Sequence, residues 1–171
     1  MIRPRSVLLP TALLLAALAP AAIAQAPAKS PPNPECPRWR QAFASMPTRM
    51  VTVQAGSRSI ALHVRVADTG ERQAAGFQCA TPAEIDRHLI LFDFGKEIFT
   101  QFHMQNVPAA LDIAFVKADG RIFSIVKMAP SPTELYGPLG PFRYAIEAHA
   151  GSFASQGIRQ GEARLVVPAV R

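Results

Sequence analysis

Signatures of common catalytic machinery are missing from this chain of 171 residues. It has no G-x-S-x-G, no phosphate-cradling glycine loop, no H-E-x-x-H and no C-x-x-C. Ordinary hydrolase, nucleotide-dependent and thiol-redox readings therefore lose their usual support. Internal repeats and heptads are absent as well. Charged residues make up only 18% of the chain, with a formal net charge of +6. Its basic residues, among them Arg49, Arg58, Arg65, Arg87, Lys96, Lys117 and Arg143, are scattered singly. Nucleic-acid binders gather such charges on one face or in one run, so a nucleic-acid partner is not expected. The charge suits solubility and weak adhesion to anionic surfaces.

Long apolar runs are equally scarce. The N-terminal one, Val7 to about Ala19, follows Arg3 and Arg5, is interrupted by Pro10, and leads to Ala22-Ile23-Ala24. It is shorter than the roughly 18–20 residues a membrane span needs. Basic start, short apolar stretch and small-x-small site together predict a secretory signal peptide over residues 1–24. No arginine pair precedes the apolar run, which favours the general secretory route. No apolar-small run precedes Cys36, so no lipid anchor is expected, and no later segment could span a bilayer. The expected location is periplasmic or extracellular after cleavage near Ala24. Cys36 and Cys79 are the only cysteines. In an oxidising compartment they are expected to form a disulfide; the alternative is two unpaired thiols.

Five prolines between Gln25 and Pro37 predict an extended linker. Trp39, Phe43 and Met46 then recur at helical spacing up to Pro47, so residues 25–47 read as a linker plus one short helix. From Met50 the period changes to two. Strands are expected around Ala55-Gly56-Ser57, over Leu89–Phe94 and Phe99–Met104, and on both sides of Ala118-Asp119-Gly120. Two more follow over Tyr144–Ala148 and Ala163–Val167. Thr69–Gly76 reads as a short helix and Gly151–Gln156 as a helical turn. The expected fold over residues 48–171 is mainly β: a compact antiparallel sandwich or barrel-like single domain with one to three short helices.

The stretch from Phe102 to Phe115 concentrates polar side chains among core-like residues. His103 and Gln105 alternate with Phe102 and Met104, which would set an imidazole and an amide side by side for a polar ligand. Asn106 precedes Val107-Pro108 and suits a turn. Asp112, inside Leu111-Asp112-Ile113, and Glu147, inside Ile146-Glu147-Ala148, are carboxylates on apolar strands. Each needs a partner, because a buried unpaired polar group costs roughly 1–3 kcal/mol. If the two converge, they could act as general acid and base. Arg143 is a plausible partner for an acid or an anionic ligand, and Tyr136 could stack on a sugar or pin its loop. The four histidines show no spacing that suggests a metal site.

Taken in order, Val64-Arg65-Val66-Ala67-Asp68-Thr69, Gln73-Ala74-Ala75-Gly76-Phe77, Leu89–Phe94, the stretch just described and Asp119-Gly120-Arg121-Ile122 resemble the DUF192 family. So do Tyr144–Gly151 and Gln156–Gly161. The resemblance runs from about Val51 to Val167 and implies a compact, mainly β fold without an established activity. The family more often reads F-W-M-K-N-T followed by P-L-D. Met104, Asn106 and Asp112 match that pattern, while His103, Gln105, Val107 and Ala110 depart from it. A Leu-Met pair often follows the glycine at 76, where this chain has Phe77-Gln78-Cys79.

These readings favour an exported, monomeric, non-catalytic domain that binds a small polar ligand or an envelope partner, without cofactor or metal. The alternatives are a carbohydrate-active hydrolase or lyase using Asp112 and Glu147 with His103, and a purely structural accessory protein.

Overall fold

Alternating β-branched residues and tight glycine turns set the framework. In a computed structural model, which describes residues 33–166, β1 (Thr48–Ala55) and β2 (Arg58–Ala67) form a hairpin with Ala55 opposite Arg58. Gly56 turns the chain at φ 60°, a conformation that glycine adopts without steric cost. A second hairpin joins β5 (Leu111–Val116) to β6 (Ile122–Met128) through Asp119-Gly120. Gly120 has φ 88°, and a β-carbon there would run into the Leu165 carbonyl oxygen. Backbone conformation and close approach both require glycine at this corner.

With β3 (Leu89–Ile98), β8 (Phe142–His149) and β9 (Ala163–Val166), these strands make one seven-stranded sheet ordered β6-β5-β8-β3-β2-β1-β9. Every neighbouring pair is antiparallel except β2 and β3. Parallel neighbours need a crossover, and here it carries α2 (Gly70–Ala75) and α3 (Pro82–Arg87). The sheet curls until its two ends meet. Arg121 bridges to Arg164, and the Leu165 N–H donates to the Gly120 carbonyl at 2.7 Å.

All seven strands send side chains into the interior of this curl, including Val53, Val64, Leu91, Ala114, Ile122, Ile146 and Leu165. Phe153 of α4 (Ser152–Ser155) joins them there. The outer face of β3, β5 and β8 carries a second core of Ile90, Phe92, Ile113, Phe115 and Ala145. α1 (Cys36–Ala44), α2 and α3 cover that face with Trp39, Phe43, Ala75 and Ile85. A separate two-stranded sheet, β4 (Phe102–His103) with β7 (Leu135–Tyr136), packs Phe102 onto it. Phe102 meets Phe92 edge-on at a ring separation of 5.1 Å, a favoured aromatic geometry.

The fold is mainly β and barrel-like, as expected, with three short helices after residue 48 and α1 before it. The helix without a counterpart in the sequence reading is α3. Thr81 and Glu84 cap each other reciprocally, and Pro82 occupies a first-turn position that tolerates its missing N–H. The expected linker also ends earlier than Pro37, because Cys36 and Pro37 already belong to α1. The strand expected over Phe99–Met104 is reduced to Phe102 and His103. Cys36 and Cys79 form a disulfide with a Cα separation of 5.5 Å, spanning 43 positions of sequence. The expected signal segment and linker residues up to 32 lie outside the described residues.

Candidate functional site

Strand alternation decides where each polar candidate goes. On β8, Ala145 and Glu147 share the outer face, while Ile146 and Ala148 point into the curl. In register, Glu147 lies between Ile90 of β3 and Ile113 of β5. Above it runs the turn after α2, where a β-carbon on Gly76 would sit 3.4 Å from Glu147 Oε2. Glu147 is only 4% exposed, and its Oε2 is buried without a hydrogen-bond partner. Desolvation favours the neutral acid, and burial pushes this carboxyl up from 4.5 to about 8.

Glu147 lines a cavity of about 210 Å³ between the α2 segment and the outer face of the sheet. Ala74–Gln78 form one wall, Phe92 and Phe94 of β3 another, and Thr100–His103 with Val107 a third. The lining is largely apolar. Gln73 is committed to the backbone, its Nε2 donating to the carbonyls of Ala67 and Asp93 at 3.4 and 3.0 Å. Gln78 is buried and similarly engaged: its Nε2 donates to the Ala74 carbonyl at 2.7 Å, and its Oε1 accepts from Asn106 Nδ2 at 3.1 Å. The two glutamines therefore hold the α2 wall in place, whereas Glu147 Oε2 remains unpartnered in the lining.

Asp112 occupies the opposite face. Strand alternation on β5 places it with Ala114 and Val116, and its Oδ2 accepts the Gly151 N–H at 2.7 Å. That bond anchors the turn from β8 into α4. Asp112 and Glu147 therefore do not converge, and the general acid–base pair considered from sequence lacks its geometry. Asp112→Ala is expected to lower unfolding stability by about 1–3 kcal/mol by orphaning that amide. A urea denaturation midpoint equal to wild type would contradict this bracing role.

The other candidates separate in the same way. His103 lines the cavity, and its Nδ1 accepts the Gln105 N–H at 3.3 Å. The Gln105 side chain turns away to the Pro132 carbonyl, so the side-by-side pair expected from alternation does not form. The reason is the turn at Met104–Val107, where the Val107 N–H donates to the Met104 carbonyl and Asn106 adopts φ 59°. Asn106 is thus a turn residue that also clamps Gln78. Arg143 sits 3.8 Å from Asp93 and is not part of the cavity lining. Tyr136 pins its own loop: its hydroxyl accepts the Ala129 N–H at 3.2 Å and donates to Glu134 Oε2 at 2.8 Å. No cluster of three or more metal-ligating side chains occurs among the described residues.

Gln73 and Gln78 had no role in the sequence reading beyond the motifs that contain them. A glutamine flanking Ala74-Ala75-Gly76-Phe77 carries no chemical signature, and its function depends on which strand the helix covers. The one available signal was Gln78 falling where related sequences are apolar.

The DUF192 family, described as "Uncharacterized ACR", matches residues 51–165. The chain belongs to this family. Two solved structures resemble the DUF192 chain over most of their length. One, from Sinorhizobium meliloti 1021, is described as a "putative transcription regulator". It is 26% identical, with a TM-score of 0.65, covering 71% of this chain and 95% of its own. The other is a protein of unknown function from Novosphingobium aromaticivorans DSM 12444. It is 25% identical, with a TM-score of 0.63, covering 74% of this chain and 96% of its own. No curated protein matches. Two of the DUF192 chain's departures from the common family pattern, His103 and Val107, fall on the cavity wall. The other two, Gln105 and Ala110, do not line it.

Proposed function

We propose that this DUF192 protein is an exported, non-catalytic domain that binds a small ligand in the cavity walled by α2, β3 and Thr100–Val107. The observation that carries this reading is Glu147: a carboxyl buried in the cavity lining with an oxygen that no protein group satisfies. Native proteins leave few such groups orphaned, because each costs stability. A ligand donor placed against this carboxyl would offset that cost. His103 and Val107 then adjust the shape of the entry wall, which gives this chain a specificity of its own.

Two features support export. The first is the basic-apolar-small pattern of residues 1–24. The second is the Cys36–Cys79 disulfide, which suits an oxidising compartment. No helix among the described residues is long and apolar enough to cross a membrane. The separation of Asp112 and Glu147 onto opposite faces of the sheet removes the acid–base pair considered from sequence and so supports the non-catalytic reading.

Ligand-observed NMR of the protein against a library of small metabolites and cell-wall saccharides tests the binding role. Hits are expected to disappear in Val107→Phe, whose ring would occupy the cavity, and to persist in Asp112→Asn, whose side chain lies on the other face. Hits lost in Asp112→Asn but retained in Val107→Phe would move the site elsewhere. A library without any hit would defeat the proposal.

A further inference from the structure

The lining of the cavity restricts the chemistry of its ligand, and the argument rests on the binding role proposed above. Acceptor and donor groups on the α2 wall are already committed: Gln73 to Ala67 and Asp93, and Gln78 to Ala74 and Asn106. No lysine or arginine lines the space. The arginine of β8, Arg143, lies 3.8 Å from Asp93 and outside the lining. Thr100, Gln101 and His103 add polar groups at the exposed side of the cavity, so the buried unmatched feature of the lining is the Glu147 carboxyl, which shares that lining with Phe77, Phe92, Phe94 and Phe102. Aromatic faces attract cations and offer nothing to anions. A carboxylate in a dry, apolar site needs an opposite charge that also donates hydrogen bonds.

We infer that the ligand is a small primary amine, held as its ammonium ion against Glu147 with a short apolar body among the phenylalanine rings. About 210 Å³ corresponds to roughly seven waters at about 30 Å³ each, which sets the size at around six or seven non-hydrogen atoms. Lysine-sized or larger cations would have to leave part of their length at the mouth beside His103. A second consequence concerns protons. The empty cavity favours the neutral acid, because Ile90 and Ile113 flank Glu147 on the neighbouring strands and Gly76 and Phe77 face it from the α2 turn. His103 is the other titratable group of the lining. Capture of an ammonium ion from water then converts the Glu147 carboxylic acid to carboxylate and releases its proton to solvent. Charge and atoms balance: one cation enters and one proton leaves.

Calorimetric titration of the protein with 1-pentylamine, 1-pentanol and pentanoate separates the alternatives. The amine is expected to bind at least about tenfold more tightly than either isostere, with about one proton released to buffer per amine at neutral pH. Its affinity should rise by about tenfold per pH unit below the Glu147 transition and level off above it. In Glu147→Gln the preference for the amine and the proton release should both vanish, while His103→Ala should leave the proton release in place. Pentanol or pentanoate binding as tightly as the amine would overturn the cation assignment and leave the binding role standing. Selectivity retained in Glu147→Gln would also overturn it. Silence from all three probes would overturn it as well, and the library screen would then decide the binding role separately.

Discussion

Replacing Glu147 with Gln is expected to stabilise the protein, by far more at about pH 8.5 than at about pH 5. In the unfolded chain this carboxyl ionises near its ordinary value of 4.5, whereas in the folded protein burial holds it to about 8. Between those values the folded state binds the extra proton, so stability falls as pH rises, by about 1.4 kcal/mol per unit. The accumulated loss above the folded value is about 4–5 kcal/mol. Below the unfolded value both states are protonated and this source of difference disappears. The Gln variant cannot ionise and should escape the decline. Other titrating groups, such as His88 and Glu84, are common to both proteins and cancel in the comparison. Urea denaturation of the two proteins across this range provides the measurement. Parallel stability profiles would show that Glu147 does not carry a raised pKa. An acid kept at such a cost in a core position fits a site that trades stability for binding.

The second large effect concerns the disulfide. Cys36→Ala with Cys79→Ala is expected to lower unfolding stability by about 4 kcal/mol, the chain-entropy value for a loop of this length. The bond closes 43 positions of sequence and ties the start of α1 to the segment that follows Gln78. α1 is also held by Trp39 and Phe43 in the outer core and by Arg40, whose Nη1 donates to the Cys79 carbonyl at 3.0 Å. Without the covalent tie these contacts alone must retain a nine-residue helix, and isolated helices of that length are marginal in water. Hydrogen exchange should therefore accelerate first in the α1 amides, while those of β5 and β8 stay protected until global unfolding. A denaturation midpoint unchanged by the double substitution would show that the tie adds nothing to the folded state.

Local chemistry was the part of this molecule most readable from its sequence. Gly56 and Asp119-Gly120 announced their hairpins, Trp39 and Phe43 their helix face, and the isolation of Glu147 among apolar neighbours marked it as a residue needing explanation. What stayed hidden depends on long-range placement. The parallel pairing of β2 with β3 puts α2 over β8, and nothing within Gly70–Ala75 specifies that destination. Without it, the cavity and the clamping roles of Gln73 and Gln78 cannot be foreseen. Alternation alone gave Asp112 and Glu147 their faces within each strand, but the register pairing Ile113 with Glu147 was required to see that the faces are opposite. His103 and Gln105 parted because the turn at Asn106 interrupts the strand that would have aligned them. The α3 capping box, by contrast, is a local signal carried by Thr81-Pro82-Ala83-Glu84 itself.

The meeting of β6 with β9 bears on how this protein behaves among many copies of itself. Open sheets end in rows of unsatisfied backbone amides that can recruit a strand from another chain, the first step toward fibrillar aggregates. Here the Arg121–Arg164 bridge, the Leu165–Gly120 bond and the bond from the Gly161 N–H to the Ile122 carbonyl occupy part of both terminal strands. Gln160 Oε1 accepts the Ile125 N–H further along β6. The sheet uses its own far end as a guard, so the same glycine corner that shapes the barrel also limits self-templating.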